Sequence, residues 1–226
     1  MSKKSAAKDA RRILIVDDHP MMRQGLAQLI GAEPDLAVCG EAENAERALD
    51  VIGRLKPDLV LADISLPGKS GLELIKDFQS MQPGLPVLVI SMHDESLYAE
   101  RVLRAGGRGY IMKQEGGKKL MQAIRQVLEG RIYVSDKISA EILEMFSGHH
   151  AATEGSPVDK LSDREFEIFR LIGEGWNTRE IAGKLYLSVK TVEAHRLNIK
   201  EKLKLKLASE LIRFAVRWAE SQNDGR

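Results

Sequence analysis

The chain carries one cysteine in 226 residues. Cys39 cannot close an internal disulfide, so a fold stapled by such bridges is excluded. Its place in the apolar run LAVCG reads as a buried strand position, not as a reactive thiol. Long hydrophobic runs are missing too. A polar, basic start, MSKKSAAKDARR, precedes an apolar run of only residues 13–16, far too short to cross a bilayer. The start has no signal-peptide pattern, and the expectation is a cytoplasmic protein with no membrane partner. A strong net charge is also lacking: the balance is +1. It hides a split, with residues 1–155 at −2 and residues 156–226 at +3. Charge alone therefore lends only weak support to nucleic-acid binding. No internal repeat is found.

What is present is a globular composition, 43% hydrophobic and 30% charged, in a length that suits one large or two modest domains. The first part alternates short apolar runs with helical patterns. RILIVDD, LAVCGEA, DLVLADI, LPVLVISM and GRGYIMK read as strands. Between and after them, HPMMRQGLAQLIGAEPD, ENAERALDVIGRLKPD, SGLELIKDFQSM, ESLYAERVLRAG and GGKKLMQAIRQVLEG read as helices. In the first helix Met22, Leu26, Leu29 and Ile30 recur at helical spacing behind Pro20. Strict alternation over about 120 residues predicts an α/β fold, a five-stranded parallel sheet doubly wound by helices, because parallel strands need crossover connections.

Residues 136–147 form a further amphipathic helix, and GHHAATEGSP at 148–157 reads as a linker. Its adjacent histidines have no ligand partner at metal-site spacing. Beyond it the pattern is wholly helical. Ser162 and Glu165 fit a capping box, and the helix they open ends at Gly173 and Gly175. Asn177 or Thr178 caps a second, short helix. Ser188 caps a third, running through residues 189–203. LKLASELIRFAVRWAE makes a fourth. A short helix, a tight turn and a longer polar-faced helix make a helix-turn-helix.

Asp17 and Asp18 end the first strand and Asp63 ends the third. If the sheet sets those strands side by side, three like charges converge, and a hard divalent cation with oxygen ligands, magnesium, would hold them together. Ser91 ends the fourth strand and Lys113 the fifth.

The DD at 17–18, ADISLPGKSGLE at 62–73, VISM at 89–92 and GYIMK at 109–113 together resemble the receiver domain of bacterial two-component response regulators. The resemblance implies a receiver over residues 11–130 with the flavodoxin-like fold. It implies that Asp63 accepts a phosphoryl group from a sensor histidine kinase. Asp17, Asp18, Asp63 and the backbone carbonyl of Ser65 would hold Mg²⁺. Lys113 would pair with Asp63 and then with the phosphoryl group, Ser91 would donate to it, and Tyr110 would be the aromatic switch that moves inward once Ser91 shifts. An ordinary half-buried strand tyrosine is the alternative for Tyr110. Pro67, Gly68 and Gly71 should shape the loop after Asp63. Ala62, Leu66 and Gln114 depart from the commoner family residues, and Ser65, Met92 and His93 are expected to govern access of water to the phosphorylated site.

LSDRE, GEGWNTREIA and LSVKTVEAH resemble the helix-turn-helix domain of the NarL/FixJ and LuxR class. The match implies a DNA-binding domain over residues 158–221, with residues 131–157 as helix and linker, and a transcription regulator controlled by phosphorylation. The helix from Val189 would enter the major groove of double-stranded promoter DNA. Val192, Ile199 and Leu203 should face the core. Lys190, Glu193, Ala194 and Leu197 are then the base-facing group. Thr191, His195, Arg196 and Lys200, with Thr178 and Arg179 of the scaffold helix, are assigned to phosphate contacts or orientation. Lys202, Lys204 and Lys206 suit electrostatic steering, or else only keep the surface soluble. Leu207, Leu211, Phe214, Ala215 and Trp218 on the last helix form either a homodimer face or the core of a four-helix domain. RNA polymerase is a further expected contact. No second catalytic constellation follows residue 130, so the chain reads as a regulator that phosphorylates only itself, with no turnover substrate.

Overall fold

Strands made of unbroken apolar residues have to be covered on both faces, and that requirement organises the first unit. The computed structural model describes residues 10–146 and 156–223, which divide into units at residues 147 and 148. The five strands are β1 (Arg11–Val16), β2 (Leu36–Ala42), β3 (Leu59–Ala62), β4 (Val87–Ser91) and β5 (Gly109–Met112). All pairings are parallel, in the order β2-β1-β3-β4-β5. The inner strands β3 and β4 are buried at every position.

The helices are α1 (Pro20–Gly31), α2 (Ala45–Leu55), α3 (Gly71–Met81), α4 (Glu95–Arg104) and α5 (Gly116–Leu128). Ile13, Ile15, Leu59, Leu61, Leu88, Ile90 and Ile111 pack with Leu26 and Ile30 of α1 and Leu120, Ile124 and Val127 of α5 in one core. Alternation along each strand sends the intervening residues, among them Val60, Val89 and Tyr110, to the opposite face, where α4 lies against β5. Leu29, expected in the apolar stripe of α1, is 44% exposed at its margin. Cys39 is part-buried, not buried. It sits on the edge strand β2 where the register with β1 steps from Val38 to Gly40, so the pleat does not carry its side chain fully inward.

The expected helix at 136–147 is α6 (Asp136–Phe146), and it belongs to the first unit. The segment before it is part of the fold as well: Tyr133 bridges Gly109 in parallel, alongside β5. The linker histidines, His149 and His150, lie outside the described residues.

The second unit opens with a short turn at residues 157–160 and contains α7 (Asp163–Gly173), α8 (Thr178–Lys184), α9 (Val189–Lys202) and α10 (Ala208–Asn223). The Ser162–Glu165 capping box is present. Asn177, not Thr178, caps α8, its Oδ1 accepting from the amides of Arg179 and Glu180. The turn into α9 places Tyr186 in the left-handed region, at φ 53°, and Ser188 caps α9 by accepting from the Thr191 amide at 3.0 Å. The unit's core is aromatic. Phe166 and Phe169 of α7 meet Trp218 at 5.6 and 5.4 Å, and Phe169 meets Phe214 at 5.7 Å. Leu211 and Ala215 are buried beside them. Of the two readings of α10, its stripe is therefore core, while Ile212 on the helix (43%) and Leu207 just before it (59%) are exposed.

Candidate functional site

The sheet order sets β1 beside β3, so the condition for the acidic cluster is met. Val16 pairs with Ala62, and the next residues of the two strands, Asp17 and Asp63, stand together beyond the carboxyl edge. The Asp63 amide donates to the Val16 carbonyl at 2.7 Å. This crevice between β1 and β3 is where neighbouring connections leave in opposite directions, the place where doubly wound sheets bind ligands.

Asp17 and Asp63 are buried, Asp63 being 3% exposed, and Asp18 is part-buried. Lys113 arrives from the far side of the sheet, just after β5. Its Nζ donates to Asp17 Oδ2 and to Asp63 Oδ2, both at 2.7 Å, with its own side chain 4% exposed. Pairing with Asp63 agrees with expectation, and the equal bond to Asp17 is additional. Burial works against the charge on Lys113, but the two carboxylates outweigh it and raise its pKa, so it stays cationic. Burial pushes the Asp63 carboxyl above the ordinary aspartate value, against the pull of Lys113.

Ligand atoms of Asp17, Asp18, His19 and Asp63 lie within 4.8 Å of one another. Asp18 Oδ1 is buried and makes no hydrogen bond of good geometry, although His19 Nδ1 lies 2.7 Å away. His19 was not legible as part of this group from pattern, since nothing but its position after DD marks it.

The β3–α3 loop is drawn over the site. The Ser65 amide donates to Asp63 Oδ1 at 3.2 Å, and Gly71 closes the loop by donating to the Ile64 carbonyl at 2.8 Å. A Cβ on Gly71 would sit 2.3 Å from the Asp63 carbonyl oxygen, so only glycine fits there.

On the other side lies the β4–α4 loop. Ser91 is buried and its Oγ accepts from the His93 amide at 3.1 Å. His93 then bridges to the facing loop through a 2.9 Å contact between Nε2 and Ser65 Oγ, and its ring stacks on Tyr98. The Tyr110 ring is fully buried and its hydroxyl donates to the His93 carbonyl at 2.8 Å. Tyr110 thus already occupies the inward position that the resemblance assigns to the state after Ser91 shifts. Burial raises its phenol pKa, against the pull of a hydrogen bond with Ser91, and Tyr98, Asp63 and Glu95 nearby add to the rise.

In the second unit, α9 sorts its residues by face. Val192 and Ile199 are fully buried, while Leu203 caps the helix and is part-buried. Lys190, Glu193, Ala194 and Leu197 are exposed, Leu197 to 56%. Thr191, His195, Arg196 and Lys200 are part-buried along the flank of that surface. Thr178 is part-buried and Arg179 exposed at the start of α8. Lys202 makes a bond that its expected place on the surface did not include. Its Nζ donates to Glu165 Oε2 at 2.6 Å and ties α9 to the capping box of α7. Spacing in sequence gave no sign of this bond across 37 residues.

No described helix is long and apolar enough to cross a membrane.

The family described as the response regulator receiver domain matches residues 13–125, and the bacterial regulatory proteins of the luxR family match residues 159–215. The chain is 37% identical over 210 residues to the oxygen regulatory protein NreC of Staphylococcus aureus (strain MRSA252), covering 91% of this chain and 97% of that one. A LuxR-family two-component response regulator from Aurantimonas sp. SI85-9A1 is 36% identical, with a TM-score of 0.57 over 61% of this chain and 99% of that one. RcsB from Salmonella enterica serovar Typhimurium, solved bound to promoter rprA with the phosphomimetic BeF₃⁻, shares the fold at 24% identity. Its TM-score is 0.61 over 92% of this chain and 98% of that one. With a receiver sheet ending in this carboxylate–lysine cluster and a helix-turn-helix unit behind it, the chain belongs to the two-component response regulators with a LuxR-type DNA-binding output, and is a transcriptional regulator.

Proposed function

We propose that Asp63 takes a phosphoryl group from the phosphohistidine of a sensor histidine kinase, and that this charge change controls promoter binding by α9. The observation that carries the reading is the single buried ammonium of Lys113 shared by Asp17 and Asp63 in the β1/β3 crevice. In the transfer an Asp63 oxygen forms the new P–O bond as the P–N bond breaks. The bond pair leaves with the imidazole nitrogen, which takes up a proton. Lys113 offsets negative charge on the phosphoryl oxygens, and the Ser91 hydroxyl donates to one of them. The chain turns over no external substrate in this reading.

The donor set fits Mg²⁺. Three carboxylates against one ammonium leave a net negative excess, and Asp18 Oδ1 is a buried oxygen still without a well-formed hydrogen bond. Asp17, Asp18, Asp63 and the Ser65 carbonyl would hold the ion, all of them hard oxygen donors. When bound, Mg²⁺ supplies positive charge that neutralises and aligns the transferring oxygens.

If Ser91 rotates to donate to a phosphoryl oxygen, its Oγ swings away from the His93 amide, which now donates to it. His93 also holds the Tyr110 hydroxyl. The switch pair Ser91 and Tyr110 is thereby connected through one residue, and phosphorylation would bias that loop between two arrangements. In the second unit, exposed Lys190, Glu193, Ala194 and Leu197 read base edges in the major groove, and Thr191, His195, Arg196, Lys200, Thr178 and Arg179 orient the unit on phosphates. A homodimer would read paired half-sites, with Ile212 of α10 and Leu207 just before it as exposed apolar residues that could join copies. Cytoplasmic location and contact with RNA polymerase complete the reading.

The test is phosphoryl incorporation from acetyl phosphate with Mg²⁺, read by intact mass, together with genome-wide DNA occupancy. Native protein gains one phosphoryl group, while Asp63→Ala and chelator-treated protein gain none. Incorporation that persists in Asp63→Ala sinks the assignment. Loss of occupancy in that variant places control at DNA binding.

A further inference from the structure

We propose that residues 131–146 are the output arm of the receiver, clasped to the β4–α4 loop and β5, and that Glu95 is the positioning residue that couples the arm to Asp63. The proposal rests on the phosphoacceptor reading above and names the chain's own route out of the first unit.

The arm is bonded to the same short stretch of structure that senses the site. The Tyr110 amide donates to the Tyr133 carbonyl at 2.8 Å, and the Tyr133 amide donates to the Arg108 carbonyl at 3.0 Å. Tyr110 therefore touches the switch loop with its hydroxyl and the arm with its backbone. The approach is close enough that a Cβ on Gly109 would lie 2.6 Å from the Tyr133 carbonyl oxygen, so this strand start is glycine for the sake of the arm.

Glu95 makes the second grip. It is only 8% exposed, and its Oε1 accepts from the Ser135 amide at 2.8 Å. Burying a carboxylate is costly unless it is hydrogen-bonded. Here the first turn of α4, where Glu95 lies just behind the Asp94 cap, and the Ser135 amide share that task. Ser135 in turn accepts from the Ile138 amide through its own Oγ at 3.3 Å, starting α6. α6 packs along α4 and buries Ile138.

Glu95 stands two residues after His93, whose amide is held by Ser91, whose ring meets Ser65 and whose carbonyl holds Tyr110. When Ser91 turns to a phosphoryl oxygen, the His93 amide loses its acceptor, and the first turn of α4 shifts with it. Both grips on the arm then change together, and α6 is released from α4. Neither grip depends on a residue that holds phosphate or metal, so the arm can be uncoupled without damage to the chemistry.

The experiment is hydrogen exchange on the full chain across peptides spanning residues 131–139, with and without beryllium fluoride and Mg²⁺ as the phosphoryl mimic. It is run on native protein, Glu95→Ala and Glu95→Gln. In native protein the mimic should speed exchange of the arm by about fivefold or more, the lower end of ordinary coupling between sites. Glu95→Ala should exchange fast already and respond little. Glu95→Gln keeps an Oε1 acceptor and should behave as native protein does. Acetyl-phosphate labelling should reach the same end point of one phosphoryl group on Asp63 in all three, since Glu95 holds neither phosphate nor metal. If the mimic alters the loops around Asp63 and Ser91 but leaves the native arm unchanged, the arm is not the output and the proposal is overturned, while the phosphoacceptor reading stands. A Glu95→Ala protein that responds like native protein overturns the role of Glu95. If the mimic alters neither loop nor arm, the phosphoacceptor reading itself fails and the proposal with it.

Discussion

The two units carry function in opposite ways. The receiver site is buried and convergent: Asp17, Asp63 and Lys113 come from the ends of three strands and meet only because of the strand order, with buried Ser91 at the end of a fourth. The surface proposed to meet DNA is open and lies along one helix, with Lys190, Glu193, Ala194 and Leu197 exposed and Thr191, His195, Arg196 and Lys200 part-buried on its flank. A buried charge cluster responds as a unit, because removing one member strands the others in a poorly solvating interior. An exposed helix face responds residue by residue, because water covers whatever is removed.

The sharpest way to break that comparison is Lys113→Ala. It leaves Asp17 and Asp63 facing each other without a counter-charge, and should cost the receiver about 3–5 kcal/mol in metal-free buffer. Thermal unfolding of the native and variant proteins measures this, and added Mg²⁺ should recover part of the loss. An unchanged melting temperature would mean that the cluster is not electrostatically coupled. Next in size is Gly71→Ala, where the new methyl would strike the Asp63 carbonyl. A loss of about 2 kcal/mol is expected from overpacking, along with slower labelling of Asp63 as the loop is displaced, read by denaturant titration and acetyl-phosphate kinetics.

On the helix face the expectation is smaller and local. Glu193→Ala and Leu197→Ala should each relax preference at one base position of the operator, worth about 1–3 kcal/mol for a direct contact. Arg179→Ala should weaken all sequences alike and flatten the salt dependence by about one phosphate contact. Competition binding against single-base operator variants separates the two. If all three substitutions act alike on every sequence, α9 does not read bases as assigned.

The smallest effect concerns Glu165, a buried carboxylate of the second unit. Burial opposes ionisation of Glu165, but the Lys202 ammonium and the Ser162 amide outweigh it and hold the carboxyl below the usual glutamate value. Its stabilising contribution is present above the unfolded glutamate pKa of about 4.3 and disappears as pH falls through the lower folded value. With Lys202 40% exposed, solvent screening limits the pair to about 1 kcal/mol. Glu165→Gln should lower stability by that amount at neutral pH and flatten its decline on acidification. Equal acid sensitivity of the two proteins would show that other carboxylates govern it.

Much of this was open to reading in the chain. The strands declare themselves through unbroken apolar runs, and Ser162, Asn177 and Ser188 mark helix starts through a hydroxyl or amide that can accept from the first turn. The acidic cluster stands out because three aspartates directly after parallel strands have few structural reasons to converge; that Asp63 is the phosphoacceptor is what the resemblance implies. What escaped reading shares one cause: it depends on partners distant in sequence. Lys202 looks like any surface lysine until Glu165 is found beside it. Glu95 resembles an ordinary first-turn acid until the Ser135 amide arrives. Trp218 and Phe214 fit a dimer face as well as a core until Phe166 and Phe169 cover them.

Periodicity and local hydrogen-bonding chemistry act over a few residues, so order, type and capping of the elements are dictated by the chain alone. So is the inventory of acids, hydroxyl and lysine from which a site can be made. Which of these meet is decided by strand order and by the face each helix turns inward, since a buried charge finds its partner through space. The Asp17–Lys113–Asp63 triad, the inward Tyr110 and the arm clasped by Glu95 are products of that packing.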